Sequence, residues 1–167
     1  MVEEISFRLA QSQDLPSISE LASKAWWTHY PAIISSEQIA LMLEQMYRLE
    51  ALNQQVKDGH LFIMAENHRD LLGFASIGVH SVSKKVWKLH KLYLDPDYKG
   101  YGLGRKLLST AEDWCRQRQG KELILNVNRK NPAFGFYLQM GYQVFEEVDI
   151  PYYQFVLNDY VMGKSLN

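Results

Sequence analysis

Cysteine is nearly absent from this chain. Cys115 stands alone among 167 residues, so no disulfide can close within it. It falls on the apolar side of a helix-patterned segment, where a small packing residue is expected and a nucleophile is not. No histidine–cysteine cluster has metal-ligand spacing, so no metal is expected. An excess of either charge is missing too: 18 Lys and Arg face 19 Asp and Glu, a formal net charge of −1. Without a basic field, no nucleic-acid partner is expected. Long apolar runs are absent, and residues 1–10 carry Glu3, Glu4 and Arg8 where a leader would be apolar. No membrane association is expected, and a cytoplasmic location is. There is no linker, repeat or low-complexity tract. Residues 1–167 therefore read as a single domain, long enough to bury a sizeable core.

Periodicity then divides the chain. Ile5–Leu9 alternates as a first strand. Asp14 stands as a helix cap ahead of Pro16, and Leu15, Ile18, Leu21, Ala22 and Ala25 recur at helical spacing through Trp26. Tyr30-Pro31 interrupts that helix, and Ser35 with Gln38 forms a capping-box pattern that opens a second. A third helical piece over residues 49–56 has a weaker pattern. Residues 61–65 and 72–79 read as strands joined by the turn Asn67–Asp70, and residues 86–94 as the next strand. A helix fills 102–120, a strand 123–127 and a short helix 132–140. Strands at 142–147 and 152–162 complete the order.

The densest signal lies at Lys99-Gly100-Tyr101-Gly102-Leu103-Gly104-Arg105. It follows an apolar strand closed by Asp95-Pro96 and precedes an amphipathic helix. Such a turn leaves backbone N–H groups unpaired at a helix N-terminus, where the helix dipole also favours an anion, so a phosphate ligand is expected. A P-loop would need Gly-Lys followed by Ser or Thr, but Arg105 and Lys106 follow Gly104 and no hydroxyl comes next. A dinucleotide-binding turn would need a third glycine where Leu107 stands, and an early βαβ unit that is missing.

The segment instead resembles the pyrophosphate loop of the GNAT N-acetyltransferases, Gln/Arg-x-x-Gly-x-Gly/Ala, with Lys99 in the place of Gln or Arg. Three further stretches carry the resemblance: the strand-then-proline run Leu92-Tyr93-Leu94-Asp95-Pro96, the apolar run 123–127, and Asn131-Pro132-Ala133-Phe134-Gly135-Phe136-Tyr137-Leu138-Gln139-Met140-Gly141-Tyr142. The last departs from the family pattern around Ala133 and Gly135. The resemblance implies an α/β (α+β) fold, with a mixed, mostly antiparallel sheet of about seven strands flanked by helices. It implies acetyl-CoA as cosubstrate and a small-molecule amine as acceptor.

By resemblance, the backbone of Leu92, Tyr93 and Leu94 pairs with the pantetheine arm, and an amide near Leu92 or Tyr93 polarises the thioester carbonyl. Lys99, Gly100, Tyr101, Gly102, Leu103, Gly104 and Arg105 hold the pyrophosphate, and Asn131 and Phe136 touch the cofactor. Asn131 has an alternative role, capping the helix that begins at Pro132. Tyr137 matches the tyrosine that protonates the leaving thiolate, or else it is a core aromatic at helical spacing with Phe134 and Met140. His90, near where family members carry Glu, is a candidate general base whose ordinary pKa suits neutral pH; the alternative is a packed strand histidine between Lys88 and Lys91. His60 and His68 fall at turns and read as surface.

The acceptor side of this fold would collect Trp26, Trp27, His29 and Tyr30 with Glu146, Glu147, Asp149, Tyr152 and Tyr153. Aromatic faces and carboxylates suit a cationic amine, and the layout is loosely similar to the bacterial spermidine/spermine acetyltransferases. The expected activity is N-acetylation of a small amine such as a polyamine. The alternatives are a protein lysine or N-terminal amine as acceptor, or an acyl-CoA sensor without chemistry. A homodimer is also an expectation.

Overall fold

A computed structural model of the chain describes residues 4–167; residues 1–3, part of the leader argument, lie outside the described residues. Seven strands form one sheet in the order β1-β2-β3-β4-β5-β7-β6. The strands are β1 Ser6–Leu9, β2 Leu61–Glu66, β3 Leu71–Ser81, β4 Val86–Leu94, β5 Glu122–Asn128, β6 Gln143–Tyr152 and β7 Phe155–Ser165. All neighbours are antiparallel except β4 and β5, which run parallel. A parallel pair needs a crossover, and the helix α4, Leu103–Gln117, supplies it.

Side-chain alternation divides the core between the two sheet faces. On one, Leu103, Leu107, Leu108, Ala111 and Cys115 of α4 pack on Leu89, Leu123, Leu125 and Met162, joined by Tyr137 of the short helix α5, Ala133–Gln139. On the other, α1 (Leu15–His29), α2 (Ser36–Tyr47) and α3 (Leu49–Lys57) cover Phe62, Met64 and Phe74. No described helix is long and apolar enough to cross a membrane. Glu112, 3% exposed, fastens α4 to the far strands: it accepts from the Tyr142 hydroxyl at 2.7 Å and from Lys164 Nζ at 3.0 Å.

Local chemistry explains where the elements begin and where two expectations shift. Ser35 Oγ accepts from Gln38 N at 3.2 Å and opens α2. Asn67 Oδ1 accepts from the amides of Arg69 and Asp70 and turns β2 into β3. Asp14 does not cap α1. Its carboxylate accepts from Gln11 N at 2.8 Å and forks onto Arg8, which also binds Glu66 at 2.6 Å, so it ties the chain entering α1 to β1 and β2. The last hairpin turns at residues 153–154, not at 148–151. Pro151 reads as a turn residue, but β6 ends the sheet order, and an edge strand tolerates a missing N–H.

Candidate active site

The sheet is split at its parallel pair. Ladder pairing of β4 with β5 runs from Val86–Glu122 to Leu89–Leu125 and stops, although β4 continues to Leu94 and β5 to Asn128. A cavity of about 800 Å³ fills the split, with Leu92, Tyr93 and Leu94 along one side and Asn126, Val127 and Asn128 along the other. The opened edge of β4 presents backbone groups that an extended ligand would pair with as an added strand.

At one mouth of the cavity stands the N-terminus of α4. Gly100 and Gly102 adopt φ of 89° and 74°, the left-handed region that glycine enters without strain. No side chain caps this helix, and its first backbone bond runs from Lys106 N to Gly102 O at 3.2 Å. The amides of Leu103, Gly104 and Arg105 are thus unpaired donors beside the cationic side chains of Lys99 and Arg105, all along the cavity wall. Tyr101 of the same loop is 77% exposed and stands off the cavity.

Across the split, Tyr137 is 8% exposed and lines the cavity. Burial pushes its phenol well above the ordinary value, so the hydroxyl stays protonated at neutral pH. Asn131 is shared. Its Oδ1 accepts from Ala133 N at 2.9 Å, which caps α5, and from His29 Nε2 at 2.8 Å, which joins the end of α1 to the start of α5. With the oxygen facing both, His29 carries its proton on Nε2. The Tyr30 and Tyr93 hydroxyls meet at 3.0 Å, and the Trp26 ring lies 4.4 Å from that of Tyr30.

Other candidates fall elsewhere. Glu147 pairs with Arg129 at 3.2 Å, as does Asp149 at 2.8 Å, and both carboxylates lie outside the cavity. Tyr153 is 67% exposed and donates to Gln45 at 3.1 Å. His90 does line the cavity, but its ring stacks flat on His60, with centroids 4.1 Å apart and planes at 9°. Burial, with His60, Lys88 and Lys91 nearby, pushes its pKa down to about 3. An imidazole held there is too weak a base to take a proton from an ammonium at neutral pH. His60, half-buried under that stack, is not the surface turn residue its position suggests.

The carboxylate that does face the cavity is Asp159 of β7, the only acidic residue in its wall among the described residues. Asn126 Nδ2 donates to it at 3.4 Å, and burial raises its pKa. The sequence places Asp159 in a late strand, with no local signal to say which face of the sheet it takes. The register that pairs it with Asn128 turns it onto the α1–α3 side.

The acetyltransferase (GNAT) family profile matches residues 21–142. A spermidine N(1)-acetyltransferase of Thermoplasma acidophilum is 30% identical over 167 aligned residues, covering 96% of this chain and 97% of that protein. The L-amino acid N-acyltransferase MnaT of Escherichia coli is 27% identical over 77% of this chain and 73% of its own length. The crystal structure of the PaiA N-acetyltransferase of Thermoplasma acidophilum in complex with coenzyme A matches the fold with a TM-score of 0.84 at 29% identity, covering 97% of this chain and 99% of that one. Sheet, split strand pair and glycine loop agree with these likenesses: the chain belongs to the acetyltransferase (GNAT) family.

Proposed function

We propose that this protein transfers the acetyl group of acetyl-CoA to the primary amine of a small acceptor by direct attack. The observation that carries this reading is the split itself, a slot that runs from an uncapped helix N-terminus, past unpaired β4 backbone, to a buried tyrosine. A pyrophosphate suits the Leu103–Arg105 amides with Lys99 and Arg105, and a pantetheine amide suits the open edge of β4. The coenzyme A bound in the Thermoplasma relative supports the same ligand here.

Chemistry then falls to few groups. An amide at Leu92 or Tyr93 polarises the thioester carbonyl. Asp159 attracts the acceptor ammonium and takes its proton; burial has already raised this carboxylate toward the range useful to a base. As nitrogen bonds to the carbonyl carbon and the carbon–sulfur bond breaks, Tyr137 gives its phenolic proton to the departing thiolate, and the second proton that nitrogen sheds on becoming an amide passes through solvent to restore the phenol. The names of the two relatives support two kinds of small amine, a polyamine and an amino acid.

Free thiol release from acetyl-CoA, followed across spermidine, putrescine, amino acids and short peptides, tests the reading. Tyr137→Phe is expected to lower kcat by about 10²-fold or more with acetyl-CoA affinity unchanged within about twofold. Equal kcat in the variant removes Tyr137 from the chemistry. Silence across the panel with tight acetyl-CoA binding points to a sensor or a macromolecular acceptor.

A further inference from the structure

The acceptor end of the cavity holds positive charge that the transfer chemistry does not use. The β3–β4 register runs Ser76–Lys91 and then Ile77–Leu89, so His90 is an extra residue in β4. Beyond this bulge His90 and Lys91 both reach the α1–α3 side of the sheet: His90 stacks on His60, and Lys91 Nζ lies 5.2 Å from the Tyr47 ring centre and 5.9 Å from that of Phe62. Lys91 is 5% exposed, lines the cavity, and has no carboxylate at ion-pair distance among the described residues. Lys88 and His90 stand beside it in the wall. The negative charges that bear on this group are Asp58, acting on His60, and Asp159, acting on Lys88.

Buried polar groups without a strict hydrogen-bond partner occur on the same side of the sheet as the lysine. Ser76, opposite Lys91 in the register, is fully buried and its hydroxyl has no partner. Trp26 Nε1 and the Tyr47 hydroxyl fall short of hydrogen-bond geometry, although Tyr47 faces both Trp26 and Tyr93; Trp26 lines the cavity and Tyr47 does not. An ammonium and an indole N–H only donate, so what Lys91 lacks is an acceptor. Leaving Lys91 buried and unpaired is costly, and an anion in the cavity that Lys91 and Trp26 line relieves that cost. Trp26, Ile34, Met42, Met46 and Leu157 add apolar surface to the wall of the same cavity.

We propose that the acceptor is an amino acid or close analogue, an amine that also carries a carboxylate on an apolar body, and that Lys91 receives the carboxylate. The assignment takes acetyl transfer to an amine as given. Asp159 meets the ammonium, the aromatic and methionine wall meets the body, and the cluster around Lys91 meets the acid.

The test pairs L-leucine, L-methionine and L-phenylalanine with their amides, and adds spermidine. Each is measured for acetylation and, by calorimetry, for binding to the CoA-loaded protein. The free acids are expected to exceed their amides in kcat/KM by about tenfold or more, although the amides have the more acidic ammonium and so the chemical advantage. Lys91→Met is expected to raise KM for the acids about tenfold, leaving their kcat within about twofold and the amide kinetics unchanged. Amides or spermidine that match or exceed the acids overturn the proposal. So does a variant that loses kcat on acids and amides alike, since Lys91 then serves proton transfer. If nothing is acetylated, the transfer reading has failed, and binding alone decides the subsite. Acids that bind wild type and not Lys91→Met uphold it, and acids that bind neither refute it.

Discussion

Lys91 is held against aromatic rings with almost no water, and the fold bears a cost for its charge. Burial pushes its pKa down to about 8 from the ordinary 10.5. The unfolded chain therefore binds more protons than the folded one between those values, and stability rises with pH across that window. Below pH 8 the full penalty applies. Lys91→Met removes it at the expense of a cation–π contact, and is expected to stabilise the protein at pH 7 by on the order of 2 kcal/mol. Thermal melts at pH 7 and pH 10 check this: the gain shrinks at the higher pH, and an equal gain at both would mean that the charge is not its source. A residue that weakens the fold and serves the site fits the usual trade of stability against function. Strand alternation alone hides this residue. Period-2 counting from Leu89, which faces α4, puts Lys91 on that same face, and only the bulge at His90 reverses it. The His60–His90 stack is hidden likewise, because a contact across the sheet leaves no mark in either local sequence.

At the scale of elements, the N-terminus of α4 is built to be completed by a ligand. A helix this amphipathic would ordinarily start on Ser, Thr, Asp or Asn, but Gly102 stands there with positive φ and no side chain to cap it. Gly102→Asp separates the two demands on the position. The left-handed φ strains any side chain, but aspartate tolerates it better than most and its charge suits a free helix N-terminus, so the melting temperature should fall by no more than a few degrees, about 1 kcal/mol. The same carboxylate repels a pyrophosphate, and the dissociation constant for acetyl-CoA should rise at least about tenfold. Undiminished binding, measured by calorimetry, would take the pyrophosphate away from this helix. The loop was legible before any coordinates, because glycine in a strand-to-helix turn has a local physical cause. So were β4 and α4, whose apolar periods are strong. The last hairpin was not: Asp149-Ile150-Pro151 reads as a turn, and only the place of β6 at the sheet edge explains a proline in a strand.

For the molecule as a whole, the same burial that shapes the cavity sets the response to acid. His29, His60 and His90 all have pKa values lowered chiefly by burial, with His90 down to about 3. A histidine kept neutral in the folded state and free to protonate in the unfolded one contributes stability above its unfolded pKa, near 6.5, and loses it as pH falls from there toward the folded value. Asp159, with its raised pKa, acts in the opposite sense, and so offsets part of the loss at the acid end of the range. Asp14 and Asp149, lowered by Arg8 and by Asn158 with Arg129, begin to matter only below the ordinary carboxylate range. Between pH 7.5 and 5 the histidines therefore dominate, and stability falls. His90 alone, discounted for its partial exposure, accounts for on the order of 1 kcal/mol at pH 5, or about 2–4 °C in melting temperature for a chain of this size. His90→Phe keeps a ring against His60 and removes the titration, so its melting temperature should fall less steeply over the same range. Parallel curves for wild type and variant would show that His90 is not buried neutral. In that case His90 would be basic enough to serve as the general base, and the proton of the acceptor ammonium would have two candidate destinations in place of Asp159 alone.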